Sequence, residues 1–306
     1  MSAPKEPQIR ILICTDASVV ANPLKLALLG NASITVQKEV ADTISAVTAV
    51  RNGDIDIVLL DIGIGEKPVR TAITRLKRAD PSVNIVMLGT LSFANVRTSI
   101  RGLMDGAVEY LPTPTPHAAG ADQRTFEESL ERVLRALGRR KTKRVPPTPP
   151  VKTTPEISKV APKILLIGSS TGGPQAVTDL LTGLGNDFNL PILITQHMPA
   201  SFTSIFAKSL SQHLKRNVKE GSEAHHLQPG DILIAPGGLH MQVKAHGQST
   251  RVHLFDGPQI NYCKPSVDPM FESAVAIYGA AILAVVLTGV MQRIADDQKS
   301  CHRIHH

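Results

Sequence analysis

Tryptophan is absent from this 306-residue chain, and aromatic residues make up only 3% of it. Its cores must therefore rest on Leu, Ile, Val and Ala. Cysteine is also scarce: Cys14, Cys263 and Cys301 are dispersed, which argues against a disulfide scaffold and for a reducing, cytoplasmic setting. No apolar run approaches the roughly 20 residues of a membrane span. The opening Met1-Ser2-Ala3-Pro4-Lys5-Glu6-Pro7 carries no apolar core of a signal peptide. What is present is a globular balance, 42% hydrophobic and 19% charged, over a length that favours two domains.

The most informative stretch is Ile164-Leu165-Leu166-Ile167-Gly168-Ser169-Ser170-Thr171-Gly172-Gly173-Pro174. A short apolar strand runs into a glycine, two serines and a Thr-Gly-Gly turn, with proline where a helix begins. Gly168 to Gly172 fits the G-x-S-x-G elbow, which holds a nucleophilic hydroxyl clear of the sheet. Amides at the helix start can face a developing oxyanion. The stretch also reads as a plain glycine-rich turn. A phosphate-binding loop is the weaker alternative, since the lysine of G-x-x-x-x-G-K-[ST] is missing. The next apolar strand, Pro191-Ile192-Leu193-Ile194-Thr195-Gln196, runs into His197. Open α/β sheets place their chemistry at the carboxyl ends of strands, so Ser170 and His197 form a candidate nucleophile and base.

Three further motifs follow in order: Ile234-Ala235-Pro236-Gly237-Gly238-Leu239-His240-Met241, Lys264-Pro265-Ser266-Val267-Asp268 and Leu287-Thr288-Gly289. With the first two they resemble the catalytic domain of CheB, the chemotaxis protein-glutamate methylesterase family. The resemblance implies hydrolysis of glutamate methyl esters on chemoreceptor cytoplasmic helices, and often deamidation of glutamines, with no cofactor for the esterase. It also implies a Ser-His-Asp triad in that chain order, with Ser170 as nucleophile, His197 as base, and amides around Ser170 and the loop after Gly289 facing the oxyanion.

The resemblance breaks at the third member. The family continues Leu-Thr-Gly-Met-Gly-x-Asp-Gly; here Val290-Met291-Gln292-Arg293 follows, so Arg293 holds the aspartate position. Asp296 and Asp297 are the substitutes within reach along the chain. The abrupt loss of the match before a short unpatterned tail reads as a truncation or frameshift, leaving the last strand uncovered. Cys301, His302, His305 and His306 offer metal-ligand chemistry without a geometric frame. Impaired catalysis is therefore expected, with a non-catalytic receptor- or kinase-binding module as the alternative.

Upstream, Ile9–Cys14, Ile55–Leu60 and Asn84–Leu88 read as buried parallel strands. Asp16 and Asp61 follow strands, at the sheet's carboxyl edge. This half resembles the CheY-like receiver that CheB carries at its amino end, with Asp61 as phosphoacceptor and Asp16 and Asp61 as ligands for magnesium. Several parts of that machinery are replaced. The acidic pair is Thr15-Asp16, the conserved hydroxyl falls on Gly89 with Thr90 one place late, and the lysine falls on Thr113. Weak phosphorylation is expected.

Phe126, Leu130, Val133, Leu134 and Leu137 recur at helical spacing and read as the last receiver helix leading into a linker, Arg139 to Pro150, that is basic, then proline-rich. Without aromatic interleaving or a DNA-binding motif, that run reads as a solvated linker and not a nucleic-acid contact. The expected architecture is α/β with two domains: a receiver with a flavodoxin-like parallel sheet (residues 8–118), a helix end and linker (119–160), and a doubly wound parallel-sheet methylesterase domain (161–306). The implied partners are methylated chemoreceptors and the chemotaxis histidine kinase, with no membrane insertion.

Overall fold

The computed structural model describes residues 8–28, 33–63, 65–114, 120–142, 160–261, 263–288 and 302–304. The chain divides into two compact units, Met1–Val151 and Lys152–His306.

The first unit runs β1 (Ile9–Cys14), α1 (Ser18–Leu28), β2 (Ile34–Val40), α2 (Thr43–Arg51), β3 (Ile57–Asp61), α3 (Glu66–Ala79), β4 (Asn84–Gly89), α4 (Phe93–Met104), β5 (Glu109–Pro112) and α5 (Gly120–Thr142). The sheet is parallel throughout, in the flavodoxin-like order β2-β1-β3-β4-β5. Central strands buried on both faces must be apolar throughout, and β3 is buried at every position. β3 begins two residues later than Ile55, because Asp56 turns its carboxylate to Arg10. It accepts from Arg10 N at 2.9 Å and from Nε and Nη2 at 3.1 Å. At the other end Asp61 pairs with Leu88 and is the strand's last residue.

α5 buries Phe126, Leu130, Val133, Leu134 and Leu137 against Ile9, Ile11, Leu24 and Leu111. It therefore belongs to the first core, as the last helix of that unit. Residues 139–142 of the basic run continue this helix, and residues 143–159 lie outside the described residues.

The second unit runs β6 (Ile164–Ser169), α6 (Gly173–Leu184), β7 (Ile192–Gln196), α7 (Ala200–Leu214), β8 (Val218–Glu220), β9 (Ile232–Ile234), β10 (His240–His246), β11 (Ser249–Phe255), α8 (Val267–Tyr278), β12 (Ile282–Val286) and β13 (His302–Ile304). Its sheet is parallel in the order β13-β12-β6-β7-β9-β8. β12, β6 and β7 are neighbours, with β6 between the other two. β6 is thus where strand order reverses, the place at which open α/β sheets form a crevice. The antiparallel β10–β11 hairpin lends Met241, Val243 and Val252 to a core shared with Met270, Phe271 and Ala274 of α8 and with Ile164 and Leu166 of β6.

The tail is not wholly unpatterned. His302, Arg303 and Ile304 pair in parallel register with Leu283, Ala284 and Val285, so β13 covers the outer edge of β12. Arg293, Asp296, Asp297, Cys301, His305 and His306 lie outside the described residues.

Because Leu134 is fully buried, Leu134→Ala should destabilise the first unit by about 2–5 kcal/mol. Arg135→Ala removes only an exposed i,i+4 pair with Glu131 and should cost about 0.5 kcal/mol or less. Urea unfolding of both variants checks the assignment of α5, which equal midpoints would refute.

Candidate active site

β6 and β7 pair with Ser169 opposite Gln196, so Ser170 and His197 are the next residues beyond two adjacent strand ends. The His197 amide donates back to Ser169 O at 3.1 Å, carrying the pairing one step past the strands. Both side chains are partly buried.

Gln196 holds the two ends together. It is buried, and its Oε1 accepts from Ser169 Oγ at 2.6 Å while its Nε2 donates to Ser170 O at 3.0 Å and His197 O at 3.3 Å. The glycines of the turn exist for this arrangement. Gly172 sits at φ 77° and caps α6 in the left-handed region that favours glycine. A Cβ on Gly173 would lie 2.0 Å from Gln196 Oε1, so any side chain there would expel the strut.

β12 closes the third side. Thr288 Oγ1 accepts from the Ser170 amide at 3.3 Å, which engages one of the N–H groups expected to face an oxyanion. Gly173 N donates to Ser170 O at 2.7 Å and closes the turn. The opening N–H groups of α6 and its positive dipole end still lie beside Ser170. Gly289 lies outside the described residues.

The fourth side is the loop between β11 and α8. Its Cys263 places Sγ 3.3 Å from His197 Nδ1. Asp268, in the first turn of α8, raises the His197 pKa, but burial lowers it more, so the ring is held below the ordinary histidine range. His240 is fully buried and braces this loop: its Nδ1 accepts from Ser266 N at 3.1 Å, so its Nε2–H donates to Pro258 O at 2.9 Å. Gln196, Thr288, His240 and Asp268 lay inside the recognised motifs without an assigned role. Cys263 was visible only as a scattered cysteine one residue before a motif.

In the first unit, Asp61 is buried at the carboxyl end of β3. Its Oδ2 accepts from Thr15 Oγ1 at 2.7 Å and its Oδ1 from Gly63 N at 2.8 Å. Asp16 is exposed, though it acts with Asp61 and Asp42 to raise the Cys14 pKa, mainly a result of burial, to about 11. A divalent cation needs several free oxygen ligands. Asp61 is buried with both oxygens accepting from protein donors, Asp16 is exposed, and Thr15 stands where a second acid would, so this edge offers a magnesium ion at most two carboxylates. Among the described residues no group of three or more metal-ligating side chains assembles anywhere. The hydroxyl position is closed as well, since a Cβ on Gly89 would sit 2.8 Å from Ile62 Cγ1. Thr90 is already engaged, its Oγ1 accepting from Asn95 Nδ2 at 3.2 Å. Thr113 buries its hydroxyl with no hydrogen-bond partner.

The two units thus define a class: a flavodoxin-like domain in the same chain as a doubly wound domain with a hydroxyl and an imidazole at its sheet edge. A sequence model of the CheB methylesterase family matches residues 165–303. The chain is 34% identical, over 97% of its length and 81% of the relative's, to a protein-glutamate methylesterase/protein-glutamine glutaminase of Azospirillum brasilense. It is 35% identical to one of Rhodopseudomonas palustris, over 94% and 81%. The Thermotoga maritima CheB methylesterase catalytic domain aligns at 37% identity over 44% of this chain and 70% of that one, with a TM-score of 0.42. The response regulator domain of the same organism's CheB aligns at 21% identity over 43% and 97%, with a TM-score of 0.36. This chain belongs to the CheB protein-glutamate methylesterase family.

Two outcomes are expected from this geometry. Gln196→Leu strips partners from Ser169 Oγ and from the carbonyls of Ser170 and His197. It should cost about 1–3 kcal/mol of stability, chiefly through the buried Ser169 hydroxyl, since Ser170 O keeps the Gly173 amide; an unchanged denaturation midpoint would show that Gln196 is no strut. Acetyl phosphate with magnesium should label the chain poorly, because Asp61 is already engaged. Stoichiometric labelling lost in Asp61→Asn would overturn that.

Proposed function

We propose that this chain is a protein-glutamate methylesterase of bacterial chemotaxis, with Ser170 as nucleophile and His197 as general base. The observation that carries the assignment is the β6–β7 register, which delivers the two residues side by side beyond adjacent strand ends at the switch point of the sheet. In the reaction, Ser170 Oγ attacks the ester carbonyl while His197 takes its proton and hands it to the departing methoxide, releasing methanol. Water, deprotonated by His197, then cleaves the glutamyl-serine ester and regenerates Ser170. A glutamine side chain follows the same course and releases ammonia. The α6 amino terminus supports this reading by favouring negative charge where the oxyanion develops.

The substrates in this reading are methylated chemoreceptor cytoplasmic domains, and the flavodoxin-like domain faces a chemotaxis histidine kinase. Among the described residues no helix is long and apolar enough to cross a membrane.

Turnover is slow in this reading. The triad aspartate position is Arg293, and loss of that carboxylate costs a serine protease roughly 10⁴-fold. Methanol release from a methylated receptor fragment should therefore run about 10³–10⁵-fold below that of a relative with the aspartate, and Ser170→Ala should abolish it. Equal rates would show that another acid serves. No hydrolysis by the parent chain, with receptor binding retained, would favour a non-catalytic binding module. The acid limb of kcat/KM adds a second test. His197 must be neutral to accept a proton, and its pKa is lowered by burial. Activity should hold at pH values where an ordinary histidine of pKa about 6.5 is already protonated, and fall only below them. An acid limb at or above that value would contradict the burial.

A further inference from the structure

A general base needs its other ring nitrogen held, because the proton it carries decides which nitrogen is free to react. In this chain the family's usual holder is replaced by Arg293 in sequence. The structure nevertheless gives His197 Nδ1 a partner: Cys263 Sγ at 3.3 Å. The thiol does not hang from a loose loop. Cys263 and Ile260 exchange backbone hydrogen bonds of 2.9 and 3.1 Å, and Gly238 N donates to the adjacent Lys264 carbonyl at 3.3 Å. Lys264 also pairs with Asp256. His240 ties both ends of the segment, at Pro258 and at Ser266.

Two proton arrangements fit the contact. If the thiol donates S–H to Nδ1, the ring proton sits on Nε2, and that nitrogen cannot accept the Ser170 proton. If Nδ1–H donates to sulfur, Nε2 carries the lone pair. We propose that Cys263 is a positioning residue for His197, its sulfur accepting the Nδ1–H so that Nε2 is presented as the base toward Ser170. This rests on the reading of Ser170 and His197 as nucleophile and base. As Ser170 is deprotonated, the proton moves from its Oγ to Nε2 and the resulting imidazolium keeps its Nδ1–H on sulfur; no further reactant enters. Asp268 complements the contact through space, because its charge favours that imidazolium. Sulfur is a weaker acceptor than a carboxylate, so it holds the tautomer without restoring a full triad.

The inference is tested by ¹⁵N NMR of the histidine rings together with kinetics, on the full-length chain and on Cys263→Ala, Cys263→Ser and Ser170→Ala. Ring nitrogen shifts distinguish Nδ1–H from Nε2–H whether or not the protein turns over. In the parent the His197 ring should carry its proton on Nδ1, and in Cys263→Ala it should shift toward Nε2–H. Methanol release should fall about 10–100-fold in kcat with KM unchanged, less than the loss of a whole carboxylate. Cys263→Ser, which keeps an acceptor, should retain the parent tautomer and most of the rate, and thermal melts should show that it folds even where the alanine variant does not. An Nε2–H ring in the parent, or a tautomer indifferent to the alanine change, would overturn the proposal. Activity surviving in Ser170→Ala would instead remove the underlying assignment of nucleophile and base. An inactive Ser170→Ala beside an unaffected Cys263→Ala would overturn the role of Cys263 alone.

Discussion

The site depends on the pairing of β6 with β7 and on the glutamine that locks it. Parallel strands in register deliver their carboxyl ends to one edge, but they leave the first residues beyond that edge without ladder partners. Gln196 supplies those partners. Its amide spans Ser169, Ser170 and His197, and it is buried, so each of its bonds forms in a setting where an unmade one is costly. Gly173 is the complement of that device, since it vacates the volume that the glutamine amide occupies. A Ser-x-x-Gly-Gly turn and a Gln-His strand end, far apart in sequence, are in this sense one structural object.

Around that object the site is assembled from segments that share no local sequence. β12 brings Thr288 to the Ser170 amide, and the loop before α8 brings Cys263 to His197. The histidine of the Gly-Gly-Leu-His motif is not a chemical group of the site at all. Fully buried and bonded through both ring nitrogens, His240 is a bracket between two ends of one loop. Burial also sets the electrostatics, holding His197 toward its neutral form against the nearby charge of Asp268. A neutral imidazole is the form a general base must have before the reaction starts.

The first unit keeps its core apart from its sheet-edge polar residues. Its core is formed by Ile11, Ile13, Leu59, Val86, Leu88 and the apolar face of α5, none of which touches a phosphoryl group or a metal in the expected scheme. Removing an acid, a hydroxyl and a lysine from the sheet edge therefore leaves the core intact. At that edge Thr15 donates to Asp61, and Ile62 lies against Gly89.

The sequence by itself determined the α/β class, the two units, and Ser170, His197 and Asp61 as residues at strand ends. These follow from apolar runs of strand length ending in glycine or polar residues, which is local information. It was silent on which nitrogen of His197 is held, since that depends on Cys263, 66 residues away and supplied by a loop with no periodic signal. It did mark residues 126–137 as the last helix of the first unit, because the apolar stripe at helical spacing lies before the basic, proline-rich run. The tail was legible only as the loss of a motif, whereas backbone pairing with β12 made part of it a strand. Periodicity reports burial along a chain. Partners across a sheet edge, proton placement and the filling of vacated volume are decided only when distant segments compete for the same space.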